Sequence, residues 1–416
     1  MKSIKVLISA YACRPNQGSE PGVGWNVTKE LVKHHQVWVI TREDNRPYIE
    51  AELAKNPIPG LQFVYYDLPH WLRWWYRGQQ WGVQFHYYLW QIGIYFLVRQ
   101  LDREVGFDLI HHVTYVKYWS PSFLSLLPVP FIWGPVGGGE SAPKAFWRDF
   151  SWRGRAYETV RDLARWLGER DPFVRMTIKH SILTQSTTQD TAKRLHKIGA
   201  TNVQIFSETA LASEEIARLA QHTLPNNSQV RFISMGRLLH WKGFHLGLRA
   251  FAQADLPEDA EFWLLGDGPE KQRLQALAQQ LGIAHRVKFW NRLPREETLQ
   301  KLSECVALVH PSLHDSGGWV CLEAMATGRP VLCLDLGGPG VQITPETGFK
   351  VAANTPEQAV RDLAEAMSRL AQDSQLRIKM GQAGQKRVSQ TYSWEAKGSS
   401  LTQLYEQILA QTVQGA

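Results

Sequence analysis

Short, unbroken apolar runs recur along this chain, and stretches of helical length separate most of them. IKVLISA (4–10), HQVWVIT (35–41), LQFVYYD (61–67), FDLIHHV (107–113) and VPFIWGP (129–135) form one series. A second series restarts after TLPNNSQ (223–229), with VRFISMG, AEFWLLG, RVKFW, CVALVHP and RPVLCLD. A strand that is apolar throughout must be covered on both faces. Parallel strands with crossover helices meet that demand, because each connection lays a helix over the sheet. Two successive series predict an α/β protein with two doubly wound, Rossmann-like domains, the first ending in the region 205–225. A chain of 416 residues is also too long for a single core. One helix is expected to open at Pro269 and stop near Gly282.

With 44% hydrophobic and 20% charged residues, the chain reads as folded rather than disordered. Its net charge of +7 favours an anionic partner: a nucleotide phosphate, an acidic lipid surface or nucleic acid. Charge alone does not choose among them, and an ordinary basic surface would give the same balance. The basic residues are spread out and no nucleic-acid-binding module is present, which weighs against nucleic acid. Cys13, Cys305, Cys321 and Cys333 make no CxxC pair and sit beside no metal-spaced histidines, so we expect reduced, buried thiols in a cytoplasmic protein. The apolar run after Met1 is short and passes into polar CRPNQGSE, as a strand does and a leader does not. YYLWQIGIYFLV (87–98) falls short of the roughly 20 apolar residues a membrane span needs.

Ligands of doubly wound sheets bind outside the carboxyl ends of the strands, and the motifs gather there. In SLHDSGGWVCLEAMATGRPV (312–331), CVALVHP is the preceding strand, and the helix runs from Gly318 to about Ala326. Gly317 and Gly318 allow close backbone approach, and the first helical N–H groups attract anions. Glu323 can accept two hydrogen bonds from a vicinal diol such as a ribose, and Asp315 can reach a sugar hydroxyl. The bland alternative is a capping aspartate and a paired surface glutamate. In SMGRLLHWKGFHLGLRAF (234–251), Gly236 and Arg237 follow a strand and Lys242 lies five residues on. Two cations beside a helix N-terminus make a pyrophosphate clamp; otherwise they are two exposed basic residues.

QGSEPGVGWN (17–26) carries Gly22 and Gly24 outside any GxGxxG or GxxxxGK spacing. It reads as a loop that closes over a phosphate or sugar, or as a plain tight turn. In FDLIHHVTY (107–115), strand alternation sends His111 and His112 to opposite faces. One of them can meet a ligand, or both can be packing residues. WGPVGGGES (133–141), closing on Glu140, is expected to form a second glycine-rich loop beside the same site. The aromatic stretch 69–100, with Arg73, Arg77 and Arg99, suits a membrane interface, a lipid-linked acceptor or a buried helical pair. Residues 144–179 hold nine Arg or Lys against five Asp or Glu, which is either an anionic-lipid surface or a solvated face. No DxD triplet, GxSxG elbow or zinc signature occurs.

Taken together, GRLLHWKGFHLGLRAF, LLGDGPEKQRLQALAQQLG and HPSLHDSGGWVCLEAMATGRPVLCLDLGG resemble the family-four retaining glycosyltransferases of the two-domain GT-B fold. The resemblance implies domains at 1–215 (acceptor side) and 216–390 (donor side), facing across a cleft, with 391–416 a helix returning to the first domain. The family's Glu-x7-Glu signature falls on Asp315 and Glu323, the first position being one methylene shorter here. Its Arg and Lys, five residues apart, fall on Arg237 and Lys242. His112 stands for the family's histidine near the reacting sugar, shifted by one position. Catalytic roles therefore go to His112, Arg237, Lys242 and Asp315. Donor binding goes to Gly22, Gly24, Gly236, Arg237, Lys242, Arg292, Gly317, Gly318 and Glu323.

The implied reaction is metal-independent, with no cofactor. It transfers a sugar from a UDP- or GDP-sugar, with retention, to a glycan or lipid-linked acceptor in surface-polysaccharide synthesis. The arginine, the lysine and backbone N–H groups take the diphosphate charge, and the leaving phosphate accepts the acceptor's proton. SEPGVGW and PFIWGPVGGGESAP resemble bacterial members that build surface polysaccharides, at the inner face of the membrane. Two other readings stay open: a nucleotide-sugar epimerase of the same fold, and a non-catalytic nucleotide-sugar-binding protein.

Overall fold

A computed structural model describes residues 3–72, 82–115, 117–222 and 229–414. The chain divides into two compact units. The first holds Met1–Gly139, Leu163–Glu208 and Trp394–Ala416, and the second holds Glu140–Asp162 and Thr209–Ser393.

The first unit is a seven-stranded sheet of β1 (Lys5–Ala10), β2 (Gln36–Arg42), β3 (Leu61–Tyr66), β4 (Leu109–Thr114), β5 (Phe131–Val136), β6 (Leu183–Ser186) and β7 (Val203–Ile205). Their order is β3-β2-β1-β4-β5-β6-β7, and every pairing is parallel. The second unit is a six-stranded sheet of β8 (Arg231–Met235), β9 (Glu261–Leu265), β10 (Val287–Trp290), β11 (Ala307–His310), β12 (Val331–Leu334) and β13 (Gly348–Val351). It runs β10-β9-β8-β11-β12-β13, again all parallel. Each sheet reverses its winding beside its first strand, which creates a crevice at the carboxyl ends there.

The α/β expectation holds, with three strands beyond the ten apolar runs. β6 is Leu-Thr-Gln-Ser, buried although mostly polar, so no apolar run marks it. β7 and β13 close their sheets as edges, where one side goes unpaired and polar residues such as Lys350 are tolerated. The helix expected from Pro269 spans Lys271–Gln280, and Gly282, at φ +72°, turns the chain away just beyond it.

QGSEPGVGWN is not a closing loop. Residues 19–26 are the opening turns of the helix Ser19–Leu31. A Cβ on Gly22 would come 2.0 Å from the Gln17 carbonyl oxygen, and one on Gly24 would come 2.3 Å from that of Ala12. These glycines are small because the helix lies hard against the chain that leads into it.

Residues 73–81, with Arg73 and Arg77, lie outside the described residues. Of the described remainder, His70–Leu72 form a short 3-10 turn and residues 83–100 belong to one helix, Val83–Val105. Tyr87, Trp90, Ile94 and Val98 recur at helical spacing on its buried face. Burying an aliphatic side chain such as Ile94 is worth roughly 1.5–3 kcal/mol. Phe85 and Phe96 stand on the exposed side, as does Arg99. Among the described residues no helix is long and apolar enough to cross a membrane. In the second unit, Phe146 and Phe150 bring residues 140–162 into the core built on β8, β9 and β11.

Candidate functional site

The reversal of the second sheet lies between β8 and β11. Beside it opens a cavity of about 700 Å³. Met235, Gly236 and Arg237 line it at the end of β8, Leu265 to Gly268 at the end of β9, and Arg292 beyond β10. The helix Trp319–Ala326, which follows β11, contributes Val320 and Glu323. The walls beneath are thin: Gly266, at φ +138°, lies so close to Gly236 that a Cβ would meet its carbonyl oxygen at 2.0 Å. A larger residue there would fill the floor between the two strand ends.

Charge in the cavity is uneven. Arg237 and Arg292 are exposed and, among the described residues, make no ion pair or side-chain hydrogen bond. Glu323 is buried, with Oε1 2.7 Å from Nη1 of Arg295. Burial raises its carboxyl above the ordinary range, and Arg295 pulls the other way. Arg295 also pairs with Glu215, so its position is fixed from two sides. The arrangement is a buried carboxylate at one end of the cavity and two guanidinium groups along it.

Lys242, Asp315 and His310 form a second group. Lys242 Nζ lies 2.5 Å from Asp315 Oδ2, and His310 Nε2 donates to the same oxygen at 3.1 Å. Burial alone would raise the Asp315 carboxyl. Lys242 and His310 outweigh it and hold the group well below the usual carboxylate range. His310 is itself pushed down by burial. The Asp315 carbonyl accepts from Gly338 N at 2.7 Å, which pins the loop from behind. Gly318 caps the helix Trp319–Ala326 and points its N–H at Asp315 Oδ1, 3.4 Å away. Gly317 presents its carbonyl to Gln342 Nε2 at 2.5 Å. That glycine-lined helix start is therefore held in place by contacts from Asp315 and Gln342.

The structure thus gathers Gly236, Arg237, Arg292 and Glu323 around one cavity, and pairs Lys242 with Asp315 beside Gly317 and Gly318. The other expected residues lie in the first unit. Gly22 and Gly24 are buried helix positions. His111 and His112 do leave β4 on opposite faces, but both are fully enclosed. His111 bonds the Tyr405 hydroxyl at 2.6 Å and the Gly134 carbonyl at 2.7 Å, while His112 Nε2 meets the Tyr87 hydroxyl at 3.1 Å. Burial lowers the two rings to about 4 and about 3, so both are neutral at physiological pH. Sequence reasoning passed over Arg295, His310 and Asp267. Arg295 opens a helix and His310 ends a strand, positions that carry no chemical signal of their own in the sequence.

Residues 216–387 match the family described as glycosyl transferases group 1. This stretch contains the cavity and the Lys242–Asp315 pair. The chain is 32% identical over 183 residues to the D-inositol 3-phosphate glycosyltransferase of Corynebacterium jeikeium, covering 42% of each chain. It is 34% identical over 181 residues to the lipopolysaccharide core biosynthesis glycosyltransferase LpsE of Rhizobium meliloti, covering 43% of this chain and 49% of that one. The matched stretch therefore spans less than half of either relative. Among solved structures, the sucrose-phosphate synthase of Thermosynechococcus elongatus is similar over 99% of this chain and 100% of its own, with TM-score 0.64 and 19% identity. Anabaena HepE, solved in complex with UDP and glucose, is similar over 99% and 100%, with TM-score 0.56 and 16% identity. At such identities the likeness carries the fold, which is of the GT-B type with two Rossmann-like domains.

Proposed function

We propose that this protein is a retaining glycosyltransferase that takes a sugar from a nucleotide-diphosphate donor held by the second unit. The observation that carries the reading is the single cavity in which Arg237, Arg292 and Glu323 converge at the carboxyl ends of β8, β9 and β10. Glu323 would accept the ribose hydroxyls, and Arg237 and Lys242 would take the diphosphate. Asp315, already on Lys242, would orient the sugar. Negative charge that develops on the leaving diphosphate would meet two cations and a helix N-terminus, which supplies the transition-state stabilisation without a metal. The leaving phosphate would accept the proton of the acceptor hydroxyl.

A uridine donor is supported by HepE, whose structure holds UDP and glucose. A glycan or lipid-linked acceptor in surface-polysaccharide synthesis is supported by the lipopolysaccharide-core relative. The same acceptor class suits peripheral contact with the cytoplasmic face of a membrane. In the first unit, Leu163, Trp166, Leu167 and Phe173 are exposed alongside Arg170, Arg175 and Lys179. Apolar side chains among cations bind anionic lipid. Catalytic use of His112 would require an opening to its enclosed ring.

The test is a thermal-shift panel of UDP-, GDP- and ADP-sugars, followed by turnover with and without an acceptor. Specific binding raises the melting temperature by mass action. A nucleotide sugar that stabilises the protein and is consumed only when acceptor is present supports transfer. Donor isomerised without acceptor would make it an epimerase, and binding without any turnover a non-catalytic binder. No shift with any nucleotide sugar would sink the donor site.

A further inference from the structure

The functional pair Lys242–Asp315 joins two loops, one following β8 and one following β11. A second set of contacts joins the same loops from the other side. Glu158, on the helix Trp152–Gly168, is buried. Its Oε1 lies 3.1 Å from His240 Nε2 and 2.9 Å from His314 Nε2. A carboxylate can only accept, so both rings present an Nε2–H to one oxygen. His240 stands two residues before Lys242, and His314 stands immediately before Asp315. Between them, the Trp241 ring stacks on His314 with centroids 5.1 Å apart and planes 17° from parallel. The Trp241 carbonyl accepts from Leu313 N at 2.7 Å.

None of this is needed to make the cavity, and a buried carboxylate costs free energy unless its partners are in place. Nearby charge helps: burial would raise the Glu158 carboxyl, but the two histidines and Arg161 hold it well below the usual range. Oε2 has no hydrogen-bond partner among the described residues, so the two histidines at Oε1 supply what the anion has, and breaking either bond would leave it with one. The two loops are therefore set in one register relative to each other, and that register fixes where the ammonium of Lys242 and the carboxylate of Asp315 meet.

We infer that Glu158 is a positioning residue for the donor diphosphate and sugar, acting through His240 and His314 on the Lys242–Asp315 pair. The inference rests on the reading that this pair contacts the donor. It predicts a selective defect. Contacts made in the cavity by Arg292 and Glu323 lie on other elements and should not depend on Glu158.

The experiment uses the nucleotide sugar that most stabilises the wild type in a UDP-, GDP- and ADP-glucose panel, together with the matching nucleoside monophosphate. Affinities are measured by calorimetry, and KM and kcat by turnover. Glu158→Ala should weaken the nucleotide sugar about 10- to 100-fold, as small misplacements near a reacting centre do. The monophosphate should change less than about threefold on the same argument, which also shows that the variant is folded. His314→Phe keeps a ring to stack on Trp241 but removes the donor, and should reproduce the defect. Glu158→Gln keeps an acceptor oxygen and should recover most of the loss. Glu158→Ala combined with Lys242→Ala should be no worse than Lys242→Ala alone. Unchanged nucleotide-sugar affinity in both Glu158→Ala and His314→Phe overturns the inference, as does an equal loss for monophosphate and nucleotide sugar. So does full additivity with Lys242→Ala. A wild type that binds neither probe overturns the donor reading itself, and that outcome is distinct from the others.

Discussion

The Lys242 ammonium rests on the Asp315 carboxylate at 2.5 Å, whereas Arg237 lies in the neighbouring cavity and, among the described residues, pairs with no carboxylate. The two cations differ in what their removal costs the fold. Arg237→Ala deletes an exposed guanidinium that makes no ion pair among the described residues. It should lower kcat about 100- to 1,000-fold, the usual loss for one oxyanion-stabilising donor, and leave the melting temperature near the wild-type value. Lys242→Ala should lose activity to a similar degree and also lose stability, because the largely buried Asp315 carboxylate would lose its cation and keep only His310 and the long Gly318 N–H contact. Turnover assays beside thermal melts separate the two. Wild-type turnover in either variant would remove the clamp.

Glu323 carries a second prediction. Its carboxylate is buried and oriented by Arg295, itself tied to Glu215. If it accepts both hydroxyls of a ribose, the donor must supply them. The wild type should bind a ribonucleotide at least about tenfold more tightly than its 2′-deoxy form, the loss expected for one hydrogen bond to a charged group. Glu323→Ala should weaken the ribonucleotide and erase that preference. Calorimetry with UDP and 2′-deoxy-UDP reads both effects. A preference that survives in Glu323→Ala would show that another residue recognises the sugar.

Apolar runs exposed the β/α alternation because strands covered on both faces have little freedom in composition. The strands that escaped notice lack that apolar signature: β6 is buried although three of its four residues are polar, and β7 and β13 lie at edges. Two residues that line the cavity stand out in the sequence because chemistry and position coincide: Arg237 just past a strand and Glu323 inside a helix after a glycine pair. Partners were not. Nothing in the spacing announces that Arg295 reaches Glu323 across 28 positions, or that Glu158 reaches His314 across 156. QGSEPGVGWN misled for a physical reason: its glycines mark tight packing of a helix on its own entry segment, and from sequence alone that is indistinguishable from a mobile loop.

That packing is itself testable. Gly22→Ala and Gly24→Ala place a methyl within 2.0 Å and 2.3 Å of backbone carbonyl oxygens, so the helix must move off the 12–17 segment. Overpacking of this kind costs about 1–3 kcal/mol, which should lower the melting temperature by several degrees. Gly18→Ala meets nothing within 4 Å and should be nearly neutral. Thermal melts of the three variants decide the matter. Equal behaviour of all three would contradict the close approach.

Lys397 makes the stability of the first unit depend on pH. It lies buried on the helix Trp394–Gln414, donates to the Ser207 carbonyl and stands 4.5 Å from the Phe206 ring centroid. Burial pushes its ammonium down to about 7, with Glu208 pulling weakly the other way. In the unfolded chain the same group titrates near its ordinary value of about 10.4. Between those two values the unfolded state binds a proton that the folded state has released. Stability contributed at this position is therefore lowest at and below pH 7 and rises with pH towards 10. At about 1.4 kcal/mol per unit, the swing is several kcal/mol. Lys397→Met keeps the length and removes the charge, so it should raise stability most at pH 6–7 and flatten the rise above it. Urea unfolding of both proteins at pH 6.5, 8 and 9.5 measures the difference. A pH slope identical in the two would show that Lys397 keeps an ordinary affinity for its proton in the folded protein.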